Sequence, residues 1–187
     1  MKRGAAESLK GQAQTFVAAA TAAAAWFRRP APSALSAART ARLRAMGWRD
    51  AATAALKGER GLKKTDGLDL SFALREAVEQ SAQSVSEAAR YGVEPDPELI
   101  KAADAVRECA KALACAAETK GRERADFLVS SKKWAFEAER LRRSVRAGGH
   151  GDPSLTQALK RETVALRLSN AAEAAHQACD ALAGSAE

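Results

Sequence analysis

The sequence predicts an all-α protein, a bundle of six helices, on three observations. Alanine dominates an apolar share of 47%, while aromatic residues make up only 5%. Alanine is the best helix former and buries little area per residue, so the helices it builds must be long and closely packed. β-branched runs are nearly absent, which leaves strands without support. Apolar side chains also recur at three- and four-residue spacing in six stretches separated by Gly and Pro. A chain of 187 residues is long enough to bury a real core, as one domain or as two small repeats.

The first helix is expected from about Ala5 to Phe27, with Leu9, Ala13, Phe16, Ala20, Ala23 and Phe27 along one face. Pro30 and Pro32 stop it. Ser33 is placed to cap the second helix, which reaches about Lys57 with an interruption expected near Gly47. Gly58, Gly61 and Gly67 mark a basic loop, and Asp69 is placed to cap the third helix, which ends near Tyr91. Leu74, Val78, Ser81, Val85 and Ala88 form its inner face.

The segment from Gly92 to Pro97 reads as a turn, with Asp96 and Pro97 opening the fourth helix. Leu99, Val106, Cys109, Leu113 and Ala117 face inward there, and Gly121 breaks or bends the helix. The fifth runs from about Arg122 to Ala147, with Phe127, Trp134, Ala138, Leu141 and Val145 inward. Gly148 to Gly151, including His150, form a turn, and Asp152-Pro153 repeats the start signal. The sixth helix reaches about Ala183, with Val164, Leu168, Ala171, Ala175, Ala178 and Leu182 as its stripe. Spacing near 3.5 residues suits nearly parallel or antiparallel packing. Three helices plus three invite a repeat reading, residues 1–91 and residues 92–187 forming one compact unit.

The formal net charge of +7 is unevenly distributed. Arg28, Arg29, Arg39, Arg42, Arg44, Arg49, Lys57, Arg60, Lys63 and Lys64 stand against only Asp50 and Glu59 in one segment, which carries the whole excess. Such a field attracts acidic protein faces, anionic lipid, phosphate or nucleic acid. Cys109, Cys115 and Cys179 show no CxxC spacing and are expected as buried thiols in a reducing compartment. Lys2 and Arg3 precede an apolar run from Phe16 to Phe27, which superficially suggests a signal peptide. Glu7 before the run and Arg28-Arg29 after it argue for a cytoplasmic helix instead, and the run is too short to span a bilayer.

The stretch DLSFALREAVEQSAQSVSEAARYGVEPDPELIKAADAVRECAKAL, residues 69–113, resembles the central region of the PhoU-like family, in the short branch associated with Pit-type phosphate transporters. GQAQTFVAAA at 11–20 is similar to that family's first helix. The segments DPSLTQALKRE and LSNAAEAAHQACDALAG are similar to its last. The resemblance implies two three-helix bundles side by side and a non-enzymatic regulator of phosphate uptake. It also implies metal binding through carboxylates spaced four apart, which place two hard oxygen ligands on one helix face.

This sequence departs from that pattern at the ligands. The third helix carries Glu79, Gln80 and Gln83, the sixth Ser169 and Glu173, and the fifth Glu137 and Glu139 on different faces with Ala135 at the earlier acid's place. The second helix has Arg39, Arg42 and Arg44 instead of acids. The expectation is a scaffold without the metal cluster and with no cofactor, Glu79, Glu173 and His176 being residual metal candidates. Glu173 and His176 form a single Glu-x-x-His pair, where di-iron bundles need two such pairs and two further glutamates. No zinc-spaced Cys/His set, GxSxG, GxGxxG or P-loop occurs, so an enzyme is not expected.

The expected function is therefore docking to a membrane phosphate transporter from the cytoplasmic side, with Arg39, Arg42, Arg44 and Arg49 as contact residues. An anionic membrane surface is a second possible contact. The alternative is nucleic-acid binding by the basic 28–64 segment, weakened by the lack of helix-turn-helix spacing and the few aromatic residues available for stacking.

Overall fold

All six expected helices form in the computed structural model, which describes residues 4–57, 62–94, 96–148 and 154–184. The helices are α1 (Ala5–Arg28), α2 (Pro32–Leu56), α3 (Leu62–Tyr91), α4 (Pro97–Glu118), α5 (Gly121–Gly148) and α6 (Leu155–Gly184), and no strand occurs among the described residues. None of these helices is long and apolar enough to cross a membrane. The run from Phe16 to Phe27 goes into the core instead, with both phenylalanines fully buried.

Helix starts and stops follow local chemistry where that chemistry is strong. The Asp96 carboxylate accepts hydrogen bonds from the Glu98 and Leu99 N–H groups at 2.9 Å, with Pro97 in the first turn of α4. The end of α3 is a Schellman turn. Gly92 takes φ +62°, and Val93 N–H bonds the Ala88 carbonyl at 3.0 Å while its side chain is buried. Gly121 takes φ +57° where the chain reverses from α4 into α5.

Three expected boundaries are corrected. Pro32, not Ser33, opens α2, with Ala31 at the cap and no side-chain cap bond. A proline's fixed φ and missing N–H suit the first helical position, so Ser33 falls inside the first turn. α2 also runs unbroken through Gly47, where a Cβ would meet open space. One exposed glycine costs only about 1 kcal/mol, too little to end a helix held by neighbours. Asp69 lies inside α3 and does not cap it, because α3 begins at Leu62 and takes in Gly67. A Cβ on Gly67 would lie 2.8 Å from Leu56 Cδ2, so the glycine lets the start of α3 close on the end of α2. Gly58, Gly61, His150 and Asp152-Pro153 lie outside the described residues.

α1, α2 and α3 pack on one another, as do α4, α5 and α6. The two groups meet where α3 lies along α6 and α1 along α4. One continuous apolar core runs through all six helices. Its largest fully buried side chains include Phe16, Phe27, Leu74, Leu99, Leu113 and Leu168. Each contributes about 1.5–3 kcal/mol by leaving water, while the many interleaved alanines contribute mainly by letting helices approach. Ion pairs cross the same junction. Arg28 holds both Asp104 oxygens at 2.8 Å and Arg167 reaches Glu87, while within the second group Arg161 of α6 reaches the Asp96 that caps α4.

Two inward assignments are corrected. Trp134 is 36% exposed at the edge of α5. The buried positions of α5 are Leu128, Ser131, Ala135, Ala138, Leu141 and Val145, and Ser131 sits against Cys109 of α4. Cys115 is exposed. It stands six residues beyond Cys109, which turns it well off the inner face of α4.

Candidate docking surface

α2 is buried on a narrow stripe only, at Ala34, Ala38, Ala41, Ala45, Ala52 and Leu56. Small side chains on that stripe seat the helix close to α1 and α3 and leave a wide arc outward. At 100° per residue, Leu43 marks the centre of that arc, with Arg39 one turn before it and Met46 nearly one turn after. Leu43 is 70% exposed and Met46 51% exposed. Arg42 and Arg44 flank Leu43 on opposite sides, and Arg49 lies beyond Met46 on the Arg42 side.

The four arginines differ in their ties. Arg42 Nε donates to Glu79 Oε2 at 2.7 Å, bridging α2 to α3, and Gln83 donates to the other Glu79 oxygen at 2.7 Å. Arg49 is half-buried and pairs with its neighbour Asp50. Among the described residues, Arg39 and Arg44 have no carboxylate partner. Arg44 borders a shallow groove between α1 and α2, beside Trp48 and Gly11. On α3, Phe72 is exposed and its ring centroid lies 5.6 Å from the Arg75 guanidinium.

α5 carries a second basic cluster, Lys132, Lys133, Arg140, Arg142, Arg143 and Arg146, in which every member but Lys133 has an acidic partner among the described residues. Lys132 pairs with Asp180, Arg140 with Glu137, Arg142 and Arg143 with Glu139, and Arg146 with Glu162. Among the described residues α2 has acidic partners for only two of its four arginines, so the positive field emerges there. The apolar pair inside that field was readable from the sequence in principle. Leu43 and Met46 stand opposite Ala38, Ala41 and Ala45, but charge counting alone passes over them.

The residual metal candidates are not brought together. Glu79 belongs to α3 and is held by Arg42 and Gln83. Glu173 and His176 lie on α6. Glu173 is exposed beside Gln177, and His176 packs its ring edge-on to Phe136 at 5.3 Å. His176 Nε2 stands 3.8 Å from Asp180. Among the described residues no three His, Cys, Asp or Glu side chains form a metal-holding group. On α5, Glu139 receives the Arg142 guanidinium and the Ser169 hydroxyl. The Arg142 hydrogen bond lowers its carboxyl to about 2, against the opposing effect of burial and with help from Ser169 and Arg143.

The thiols offer no reactive centre in the core. Cys109 shares hydrogen bonding with the Ser131 hydroxyl at 3.3 Å, and burial pushes its thiol up to about 12. Burial likewise raises the Cys179 thiol. A thiol raised this way is protonated at neutral pH and is a poor nucleophile.

The fold and this surface define a helical-bundle protein with an exposed cationic and apolar helix face. Comparison with known proteins adds no family to that class: no family model matches the chain, and no curated protein matches it.

Proposed function

We propose that this protein is a non-catalytic accessory protein of inorganic phosphate transport that docks α2 onto an acidic face of a Pit-type transporter at the inner membrane surface. The observation that carries the docking is the outward face of α2, where exposed Leu43 and Met46 sit among arginines of which Arg39 and Arg44 have no acidic partner among the described residues. Apolar side chains ringed by cations match the centre and rim of a protein interface, with the charges steering approach and the apolar pair excluding water. The link to phosphate transport rests on the resemblance of residues 69–113 to PhoU-like regulators. Glu79 and Glu139, near positions where that family carries metal ligands, are engaged by Arg42 and Arg142. That favours a scaffold acting by contact.

Nucleic-acid binding fits this face less well. Trp48, the aromatic residue of α2, lies flat over Gly11 and is not presented for base stacking. The test is co-purification of the full chain with a co-expressed Pit-type transporter, comparing wild type with Arg39→Glu/Arg44→Glu. Association is expected to weaken about tenfold or more and to fall with added salt, since screening acts over roughly 8 Å at physiological ionic strength. Unchanged association removes α2 as the docking face. Salt-sensitive retardation of duplex DNA that the same substitutions abolish transfers the face to nucleic acid.

A further inference from the structure

At one pole of the molecule, the start of α1, α3 and α5 meets the end of α2, α4 and α6. A cavity of about 410 Å³ opens there between the two helical groups. Its walls are Leu56, Leu70, Leu74, Leu113 and Leu182, one or two from each of four helices, with α1 closing the near side through Leu9. The volume lies within the range of small-molecule pockets, and so does the pattern of apolar walls with few polar groups.

Among the described residues that line this cavity, the charged ones are two cations, Lys10 and Arg124. Lys10 projects from the exposed edge of α1 and has no carboxylate partner among the described residues. Arg124 stands in the first turn of α5, half-buried. Its Nε donates to the Thr119 carbonyl at 2.9 Å, which anchors the guanidinium at the rim and leaves its terminal N–H groups for a ligand. None of the described residues lining the cavity is acidic.

We propose that this cavity binds a fatty acid, with its alkyl chain between the leucines and its carboxylate on Lys10 and Arg124. The walls gain from each methylene group taken out of water. The head group must be anionic, because a cationic one would meet two like charges at the mouth and a neutral one would leave them uncompensated. A volume of about 410 Å³ suits one medium-length alkyl chain and not the two chains of a phospholipid. The guanidinium and ammonium offer the charge-assisted hydrogen bonds that carboxylates accept best. The site uses none of the arginines of the α2 face, so it stands or falls independently of transporter docking.

Calorimetric titration of the full chain with sodium laurate below its micelle concentration tests the site. Saturable one-to-one binding is expected, with dodecyltrimethylammonium, the same chain on a cationic head, binding about tenfold or more weakly. The Lys10→Glu/Arg124→Glu variant should lose laurate affinity by about tenfold or more while keeping its helical circular dichroism. Ala117→Phe, which places a ring in the cavity, should abolish binding. Absence of saturable laurate binding overturns the proposal, as does equal affinity for the two amphiphiles or an unchanged affinity in the charge-reversed variant. Should that variant lose its helical signal, the wild type decides. Affinity must rise from octanoate to laurate and must favour the anionic head, and failure of either also overturns the site.

Discussion

Gly11 is the residue whose role is least like its local propensity. It stands in the interior of α1, where a glycine costs about 1 kcal/mol relative to alanine. A Cβ there would fall 2.6 Å from Trp48 Cε2 and Cζ2, inside a rigid ring that cannot yield at its tip. The missing side chain lets the indole lie on the α1 backbone and join α1 to α2. Gly11→Ala therefore pits a propensity gain of about 1 kcal/mol against an overpacking cost of about 1–3 kcal/mol. The net outcome is expected to be a lower urea midpoint with an unchanged slope. A raised midpoint would show that Trp48 moves aside freely. Residue-scale detail of this kind was not readable in the sequence, because the clash partner lies 37 positions away on another helix.

At the scale of elements, α5 and α6 are joined by polar contacts as well as by their apolar stripes. The Glu139 carboxylate binds Arg142 on its own helix and accepts the Ser169 hydroxyl across to α6. Its folded carboxyl sits at about 2, below the ordinary value of 4.5. A lowered carboxyl contributes stability that is fully present above the unfolded value and is lost as pH falls toward the folded one. Acidification from about 4.5 to about 2 should therefore cost the wild type stability that Glu139→Gln does not lose. Thermal melts of the two proteins across that window check it. Parallel acid limbs would remove Glu139 from the acid response. The sequence places Glu139 and Arg142 one turn apart, which makes their pairing legible. It does not show that Ser169 meets them, since that contact depends on how α5 and α6 are aligned.

At the scale of the whole molecule, the two three-helix groups share one core and are stitched by Arg28 to Asp104 and by Arg167 to Glu87. A shared core predicts one cooperative unfolding transition, despite the three-plus-three arrangement. Trp134→Phe makes a probe for this, because Trp134 is at the boundary of α5 while Trp26 and Trp48 report on α1 and α2. In that variant, urea transitions followed by tryptophan fluorescence and by far-ultraviolet circular dichroism should coincide. A fluorescence midpoint clearly separated from the circular dichroism midpoint would mean that the groups unfold apart.

Residue spacing alone fixes the helical class, the six helices of the described residues and most of the faces they bury. The stripes of α1, α3, α4 and α6 are buried almost residue for residue, because a 3.6-residue period can satisfy an apolar face in only one way. It also determined the Asp96 start and the Gly92 stop, since both are made by groups a few residues apart. Tertiary structure alone decided the rest. α3 begins before Asp69, with Gly67 close against Leu56, and Trp134 stands at the edge of α5. The same docking decided which arginines are paired, exposed Leu43 and Met46 among them, and gathered six leucines and two cations at one pole. These are properties of distances between helices, and no spacing within a helix encodes them.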